Sequence, residues 1–186
     1  TMKREGVVEL PDPNFQYGTP KFKTPSGKFE FSSEAVGAAG LNPVIGWIPR
    51  KVTPKDGEFA IVGGKQGIHS HTMTQNIACL NAISREYHME RLWISAQDAE
   101  DLGVQTGDTV EVASSEHVGQ VEARVTQRLK PGVVFLPTHY GGDSPAQTRA
   151  YRYGIALTDF IPFDMEPGVG SMMSQEVAVT VKKVEA

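Results

Sequence analysis

From Glu58 to the end, short apolar stretches alternate with turn signals, and this alternation restricts the fold more than any other feature of the chain. In VGQVEARVTQRL, for example, Val121, Ala123 and Val125 alternate with polar neighbours, which places them on one face of a strand. The same reasoning predicts these strands: EFAIVGG, RLWIS, TVEVAS, KPGVVFLP and SQEVAVTVKKV. Many short strands with only two or three short helices are typical of a closed or nearly closed β-barrel. We therefore predict a mainly β fold for residues 58–186, with a few short helices.

Two short helices are predicted between these strands. SAQDAEDLG carries signals at both ends, because Ser95 and Asp98 form a capping-box-like pair and Gly103 supplies a left-handed stop. Residues 76–84 have apolar side chains at helical spacing. Asp98 is thus interpreted as a helix cap, and Asp108 in TGD as a turn residue, rather than as general acids or bases.

The first 57 residues differ in composition, because they are rich in proline and glycine and contain few periodic apolar runs. KFKTPSGKFEF predicts a β-hairpin, since phenylalanines alternate with polar residues beside the turn Thr-Pro-Ser-Gly. SSEAVGAAGL predicts a short helix capped by Ser32 or Ser33. The stretch up to Gly57 reads as an extended connector. We therefore predict an extended N-terminal segment over residues 1–57, followed by the barrel.

Composition excludes several classes of function. A formal net charge of −4 argues against general affinity for nucleic acid or anionic membranes, and no apolar run approaches the length of a membrane span. Cys79 is the only cysteine, which excludes an internal disulfide framework, a zinc ribbon and a cysteine-held iron–sulfur cluster. Because Cys79 lies among apolar residues in IACLNAI, we predict a buried, inert thiol. No phosphate-binding GxxxxGK[ST] motif or GxSxG elbow is present.

Residues 65–76, KQGIHSHTMTQN, follow the first barrel strand and are the main candidate site. In one interpretation His69 and His71 point to the same face and bind a metal ion, with His139, His88 or His117 as a third ligand. No carboxylate close in sequence completes such a set. A small metalloenzyme built on this pair is the alternative hypothesis for function.

A second interpretation is that the same turn holds an anion. Gly63, Gly64 and Gly67 permit close backbone approach, and Lys65 adds a positive charge. Hydrogen-bond donors follow it in the sequence: Ser70, Thr72, Thr74, Gln75 and Asn76. A polar loop that only caps the next helix remains an alternative. THYGGDSP is the second candidate, where His139 and Tyr140 end a strand and line either a pocket mouth or an ordinary surface loop.

Three segments in this order carry a family resemblance: VGGKQGIHSHTMTQN, RLWISAQDAEDLGVQTGDTVEVAS and ARVTQRLKPGVVFLPTHYG. Together they resemble the C-terminal molybdopterin-dinucleotide-binding domain of the dimethyl sulfoxide reductase superfamily. The part from Trp93 to Val112 is the most specific, and the likeness covers residues 58–181, with TPSGKFEF extending it back to Thr24. TMTQN and RLWIS resemble most closely the thiosulfate and polysulfide reductases.

The resemblance implies a six-stranded double-psi β-barrel that packs over molybdopterin guanine dinucleotide. In the family, three parts of the domain lie near this cofactor, and they match Lys65 to Asn76, Thr138 to Gly141 and the residue before the final strand. A later turn, which matches YGIALTDF here, reaches a nucleotide. Donor chemistry and resemblance together predict these cofactor-binding residues: Lys65, His69, Ser70, His71, Thr72, Thr74, Gln75, Asn76, His139, Tyr140, Thr158 and Gln175.

The resemblance also implies what lies outside this chain. Molybdenum or tungsten and any iron–sulfur cluster are held by other parts of such enzymes, so residues 1–57 lead in from a catalytic portion and the isolated chain is expected to be inactive. We predict no catalytic residue and no metal ligand here. The implied partners are the remaining catalytic domains, an iron–sulfur electron-transfer subunit and a membrane anchor subunit. The implied location is a periplasmic or other extracytoplasmic membrane-associated complex, and a barrel used only for protein docking remains a further alternative.

Overall fold

The computed structural model describes residues 15–16, 19–20, 22–44, 46–70, 74–167 and 170–185. The chain divides into two compact units, Thr1–Ile48 and Pro49–Ala186. The start of the second unit is joined to its end, because Arg50 donates to the Gln175 carbonyl and the Glu176 carboxylate accepts the N–H groups of Lys51 and Val52. No helix in the described ranges is long and apolar enough to cross a membrane.

The described residues of the first unit form few regular elements. Strand β1 (Phe15–Gln16) pairs antiparallel with β2 (Thr19–Pro20), and helix α1 spans Glu34–Ala38. The predicted helix cap is confirmed, since the Ser33 hydroxyl accepts the N–H of Val36 at 3.4 Å.

The hairpin predicted at KFKTPSGKFEF is only half right. Its turn forms, with the N–H of Gly27 donating to the Thr24 carbonyl at 3.0 Å. Residues 22–31 form no strands, however, and side chains close the loop instead: the Thr24 hydroxyl donates to the Lys28 carbonyl, and Glu30 accepts the N–H of Ser26. Phe29 and Phe31 are exposed, so no buried face stabilises a two-stranded ladder here.

The second unit is a closed barrel of six described strands in the order β3-β7-β4-β6-β5-β8. The strands are β3 (Glu58–Gly64), β4 (Leu92–Ser95), β5 (Thr109–Ala113), β6 (Val118–Thr126), β7 (Val133–Pro137) and β8 (Ala178–Lys183). The pairs β3–β7 and β4–β6 are parallel, and the others are antiparallel. If β3 is exchanged with β6, β4 with β7 and β5 with β8, the same set of pairs results. This internal two-fold pattern is that of a double-psi barrel, so the predicted fold is confirmed.

Alternating side chains of these strands fill the barrel. Leu92 and Ile94 of β4 are fully buried, and so are Val110 and Val112 of β5. The face predicted for β6 is confirmed: Val121 and Ala123 are buried, and Val125 packs against the core from a partly buried position. Apolar alternation in the sequence thus identifies the interior of the barrel.

The two predicted helices of this unit are present. Helix α2 spans Ala78–Glu86, and helix α3 spans Ala96–Asp101, with Ser95 as its N-cap. Cys79 is exposed on α2, so the prediction of a buried thiol is wrong. The reason is that α2 turns Asn81 and Ser84, two polar residues, most deeply inward and leaves Cys79 on the opposite side.

Candidate functional site

The turn after β3 is held by its own side chains. The hydroxyl of Thr74 accepts the N–H of Ser70 at 2.9 Å, and the amide of Gln66 donates to the Met89 carbonyl at 3.1 Å. Lys65 and Ser70 are exposed. His71 and Thr72 lie outside the described residues, so their predicted roles remain predictions.

His69 points into the protein, and it is only 6% exposed. Its Nδ1 bonds the Thr74 hydroxyl at 3.2 Å and its Nε2 bonds the Ser84 hydroxyl at 2.5 Å. Burial holds the pKa of His69 below its ordinary value, which favours a neutral ring. With both nitrogens engaged by hydroxyl groups, His69 is arranged as a structural contact and not as a metal ligand.

The lowered pKa predicts how acid affects stability. Because the folded His69 binds its proton less readily than the unfolded one, the unfolded state gains protons as pH falls below about 6.5, and stability falls until the lower, folded pKa is passed. We expect urea unfolding at pH 5 to require less denaturant than at pH 7.5, and the variant His69→Gln to show a smaller difference. An unchanged pH dependence in His69→Gln would contradict this assignment.

A buried polar network continues from His69 to the loop after β7. The Ser84 hydroxyl lies 3.4 Å from the Tyr140 hydroxyl, and Tyr153 donates to the Ser84 carbonyl at 3.1 Å and also contacts the carboxylate of Glu90. Burial raises the pKa values of Tyr140 and Tyr153, and for both the Glu90 charge adds to the effect. Both phenols therefore stay protonated, and the network ties α2 to residues 138–154.

The structure brings the two candidate segments together. Both the N–H and the hydroxyl of Thr138 donate to the Gly64 carbonyl, at 2.9 and 3.1 Å, and the rings of His69 and Tyr140 lie 6.1 Å apart at their centroids. Tyr140 is buried, whereas His139 is half-buried with a positive φ of 78°. The predicted neighbourhood of the turn and the THYG strand end is thus observed.

The two glycines directly before the turn are closely packed. A Cβ on Gly63 would lie 2.1 Å from a Leu157 methyl, and one on Gly64 would lie 2.8 Å from the Phe135 ring. A side chain of the same unit therefore packs against each of these glycines, and their close backbone approach to phosphate remains a prediction. Gly67 has open space around it.

Gln75 carries an unsatisfied donor at the end of the turn. The residue is 4% exposed, and its Nε2 has no hydrogen-bond partner among the described residues. A buried, unpaired amide of this kind costs about 1–3 kcal/mol. A ligand acceptor would satisfy it, so this position fits an acceptor-rich cofactor such as a phosphorylated one.

Asn76 holds a neighbouring loop beside the turn. Its Oδ1 accepts the N–H of Arg149 at 2.7 Å and that of Ala150 at 3.3 Å. The acceptor end of the amide is used inside the protein, which leaves its Nδ2 as the end available to donate to a ligand.

The remaining predicted residues lie elsewhere on the barrel. Thr158 is exposed on a 3₁₀ turn, Leu157–Phe160, while Leu157 is buried. Gln175 is exposed before β8. No contact described for either side chain connects it with the turn, and their cofactor contacts remain predictions.

The sequence patterns do not identify the buried residues that bond to His69 or extend its network. Ser84, Tyr153 and Glu90 belong to the buried network, and no motif marks them. Their only signal is that Ser84 follows Asn81 by three residues, which places two polar side chains on one helix face.

Among the described residues one group could offer three metal ligands: His88, Glu90 and Glu122. The carboxylate of Glu122 already accepts from Arg91 at 2.6 and 2.9 Å, and Glu90 bonds Tyr153. This group shares only His88 with the histidine set predicted for the metalloenzyme alternative, and its contacts are those of an ion-pair cluster.

The family assignment agrees with this geometry. The family model described as molydopterin dinucleotide binding domain matches residues 59–171. The chain belongs to this family. The predicted cofactor, molybdopterin guanine dinucleotide, is therefore the cofactor of this domain, and the unpaired donor of Gln75 fits an acceptor-rich ligand.

Relatives of this domain include a molybdopterin-containing subunit and a dimethyl sulfoxide reductase. The thiosulfate reductase molybdopterin-containing subunit PhsA of Salmonella typhimurium is 26% identical over 176 residues, covering 93% of this chain and 22% of that protein. Dimethyl sulfoxide reductase DmsA of Escherichia coli is 27% identical over 128 residues, covering 61% of this chain and 15% of that protein. The chain thus spans less than a quarter of either relative.

A solved structure shows the same fold. Acetylene hydratase from Pelobacter acetylenicus superposes with a TM-score of 0.73 and 15% identity, over 96% of this chain and 26% of that one.

Proposed function

We propose that this domain binds molybdopterin guanine dinucleotide as part of a larger molybdenum or tungsten oxidoreductase that reduces thiosulfate, polysulfide or a related oxyanion. The substrate class is supported by the similarity to a thiosulfate reductase subunit over most of this chain. The redox chemistry belongs to the metal that the pterin carries. No residue of this domain is assigned a catalytic step, and the isolated chain is expected to be inactive.

The single observation that carries the binding role is the buried, unpaired Nε2 of Gln75. Close to Gln75 in the sequence, the Nδ2 of Asn76, the hydroxyl of Ser70 and the ammonium of Lys65 can donate to phosphate or pterin oxygens. His71 and Thr72 extend this donor set in the sequence. We assign a supporting role to a second group of residues: His69, Thr74 and Tyr140, whose polar atoms bond one another or Ser84.

The greater length of the relatives supports further domains in the same enzyme. We expect the remaining catalytic domains to supply the metal ligand, any iron–sulfur cluster and the substrate funnel. An iron–sulfur electron-transfer subunit and a membrane anchor subunit would complete an enzyme of anaerobic respiration in a periplasmic or other extracytoplasmic complex. Detection of such subunits by mass spectrometry after mild purification of the native enzyme tests this assembly.

The cofactor role is tested by Gln75→Glu in the complete enzyme. The change keeps the shape of the side chain but replaces the amide donor by a buried carboxylate, which repels phosphate. We expect cofactor retention at least about tenfold weaker, from the loss of a hydrogen bond and the added repulsion. The measurement is the guanine nucleotide released per enzyme molecule on acid denaturation.

Gln127→Glu is the matched control, because Gln127 is exposed and undergoes the same chemical change. Thermal unfolding of both variants separates loss of cofactor from loss of the fold, and Gln75→Met, which adds no charge, gives a second variant. Cofactor content in both Gln75 variants equal to that of Gln127→Glu would argue for a barrel that serves only in protein docking.

A further inference from the structure

The loop that carries Arg149 is fixed against the turn and α2 on both sides of its backbone. Asn76 Oδ1 accepts the N–H of Arg149 at 2.7 Å, and the guanidinium of Arg85 donates to the Arg149 carbonyl at 2.9 Å. Arg85 is itself oriented by a bond from its Nε to Asn81 Oδ1 at 3.1 Å. The next residue, Ala150, is 2% exposed, which anchors the loop in the domain. The backbone of Arg149 therefore has one defined position.

The side chain of Arg149 has no such restraint. The residue is exposed, and in the described part of the chain its guanidinium has no acceptor and no aromatic partner. Five other arginines of the domain are engaged by carboxylates, carbonyls or rings: Arg50, Arg85, Arg91, Arg124 and Arg152. Arg128 is also exposed, but within the described ranges only its own backbone N–H is bonded, to the Thr126 hydroxyl. An unengaged guanidinium on a doubly anchored backbone is thus a particular feature of Arg149 at the edge of the candidate site.

The groups around Arg149 select for an anion. The Oδ1 of Asn76 accepts the two backbone N–H groups of the loop, so only its Nδ2 donor remains for a ligand. The adjoining Gln75 has a buried donor without a partner among the described residues. A guanidinium offers a planar pair of N–H donors that matches two phosphate oxygens, whereas Lys65 provides a point charge on a flexible stem.

We propose that Arg149 makes a bidentate contact to the pyrophosphate of the dinucleotide, and that Asn76 positions it. The inference rests on the proposed cofactor role of this domain and adds a residue that no sequence motif indicates. Asn76 then acts through the Arg149 backbone in addition to any bond from its own Nδ2.

The experiment uses the complete enzyme with Arg149→Gln and Arg149→Lys. Arg128→Gln is the matched control, because Arg128 is also exposed but lies in the connection between β6 and β7. The readouts are guanine nucleotide per enzyme molecule and its retention in rising KCl. We expect Arg149→Gln to weaken retention by about tenfold, the size usual for a charged hydrogen bond, and to reduce its dependence on salt. Arg149→Lys should fall between wild type and Arg149→Gln.

The positioning role of Asn76 is tested by a double-mutant cycle. If Asn76 acts through Arg149, Asn76→Ala should lower retention much less in the Arg149→Gln background than in the wild type. Additive effects would overturn the positioning role, since they would mean that the two residues act independently.

The outcomes separate this inference from the proposed function. Retention in Arg149→Gln equal to that in Arg128→Gln overturns the contact. If Gln75→Glu still loses cofactor in the same series, the domain's cofactor role stands and only Arg149 is misassigned. If neither variant loses cofactor, both proposals fail. If Arg149→Lys retains the cofactor as well as the wild type does, the bidentate contact is overturned, because a single positive charge would then be sufficient.

Discussion

Gly141→Ala is expected to destabilise the chain by about 3 kcal/mol or more, the range of mutations that force a backbone clash. Gly141 has a φ of 75°, and an added Cβ would lie 2.2 Å from the Ala156 nitrogen and 2.3 Å from the Ile155 carbonyl carbon. Both obstacles are backbone atoms, so no side-chain rotation relieves the overlap. The close approach also places the Gly141 N–H 2.7 Å from the Tyr153 carbonyl, which joins the THYG strand end to the buried network.

Gly57→Ala is the control for this prediction. Gly57 has a similar φ of 83°, but no atom lies within 4 Å of its Cβ position. Only the left-handed backbone penalises alanine there, by about 1–2 kcal/mol. Urea unfolding of the two variants measures the difference, and equal losses would show that the predicted clash at Gly141 is relieved.

Asp98→Ala is expected to cost about 2–3 kcal/mol, because the bonds from two donors to a buried carboxylate are lost together. Its oxygens accept the Ser95 hydroxyl at 2.7 Å and the N–H of Gly132 at 3.0 Å and 3.3 Å. Asp98 thereby joins the start of α3 to the turn before β7. The change removes this connection between distant parts of the barrel, while the backbone N–H at position 98 can still donate to the Ser95 hydroxyl.

Asp101→Ala provides the comparison, since Asp101 lies on the same helix but is exposed and has a weak contact to Gln97 at 3.4 Å. Its unfolding midpoint should stay close to that of the wild type. Asp98→Asn, which keeps one acceptor oxygen, should fall between the two. A midpoint for Asp98→Ala equal to that of Asp101→Ala would exclude the connecting role.

Much of the fold could be predicted because its signals are local. Alternation in β6 identifies Val121 and Ala123 as interior residues, since a strand sends successive side chains to opposite faces. Ser95, Asp98 and Gly103 mark the ends of α3, because a cap depends on residues within a few positions of the helix terminus. The segment KFKTPSGKFEF shows the limit of such signals. Its turn forms from local contacts, but pairing of two strands also needs an apolar surface against which the strands can pack.

The candidate site was predicted less completely. The donor-rich turn and the THYG strand end were recognised and do lie together. His69 was expected to face a ligand, yet it bonds Thr74 and Ser84 inside the protein. Nothing in the order of residues distinguishes an inward from an outward histidine, because that direction depends on which side of the turn α2 packs.

Patterns along the chain indicate the strands, the capped helices and the polar chemistry of residues 65–76, since each of these depends on near neighbours in sequence. Packing in three dimensions places Gly63 against Leu157 and Asn76 against the Arg149 backbone, and it leaves the Gln75 donor without a partner among the described residues. Asn76 and Arg149, for example, are 73 positions apart in the sequence. Closure of the barrel brings such residues within reach, and their side chains then compete for the same few buried partners.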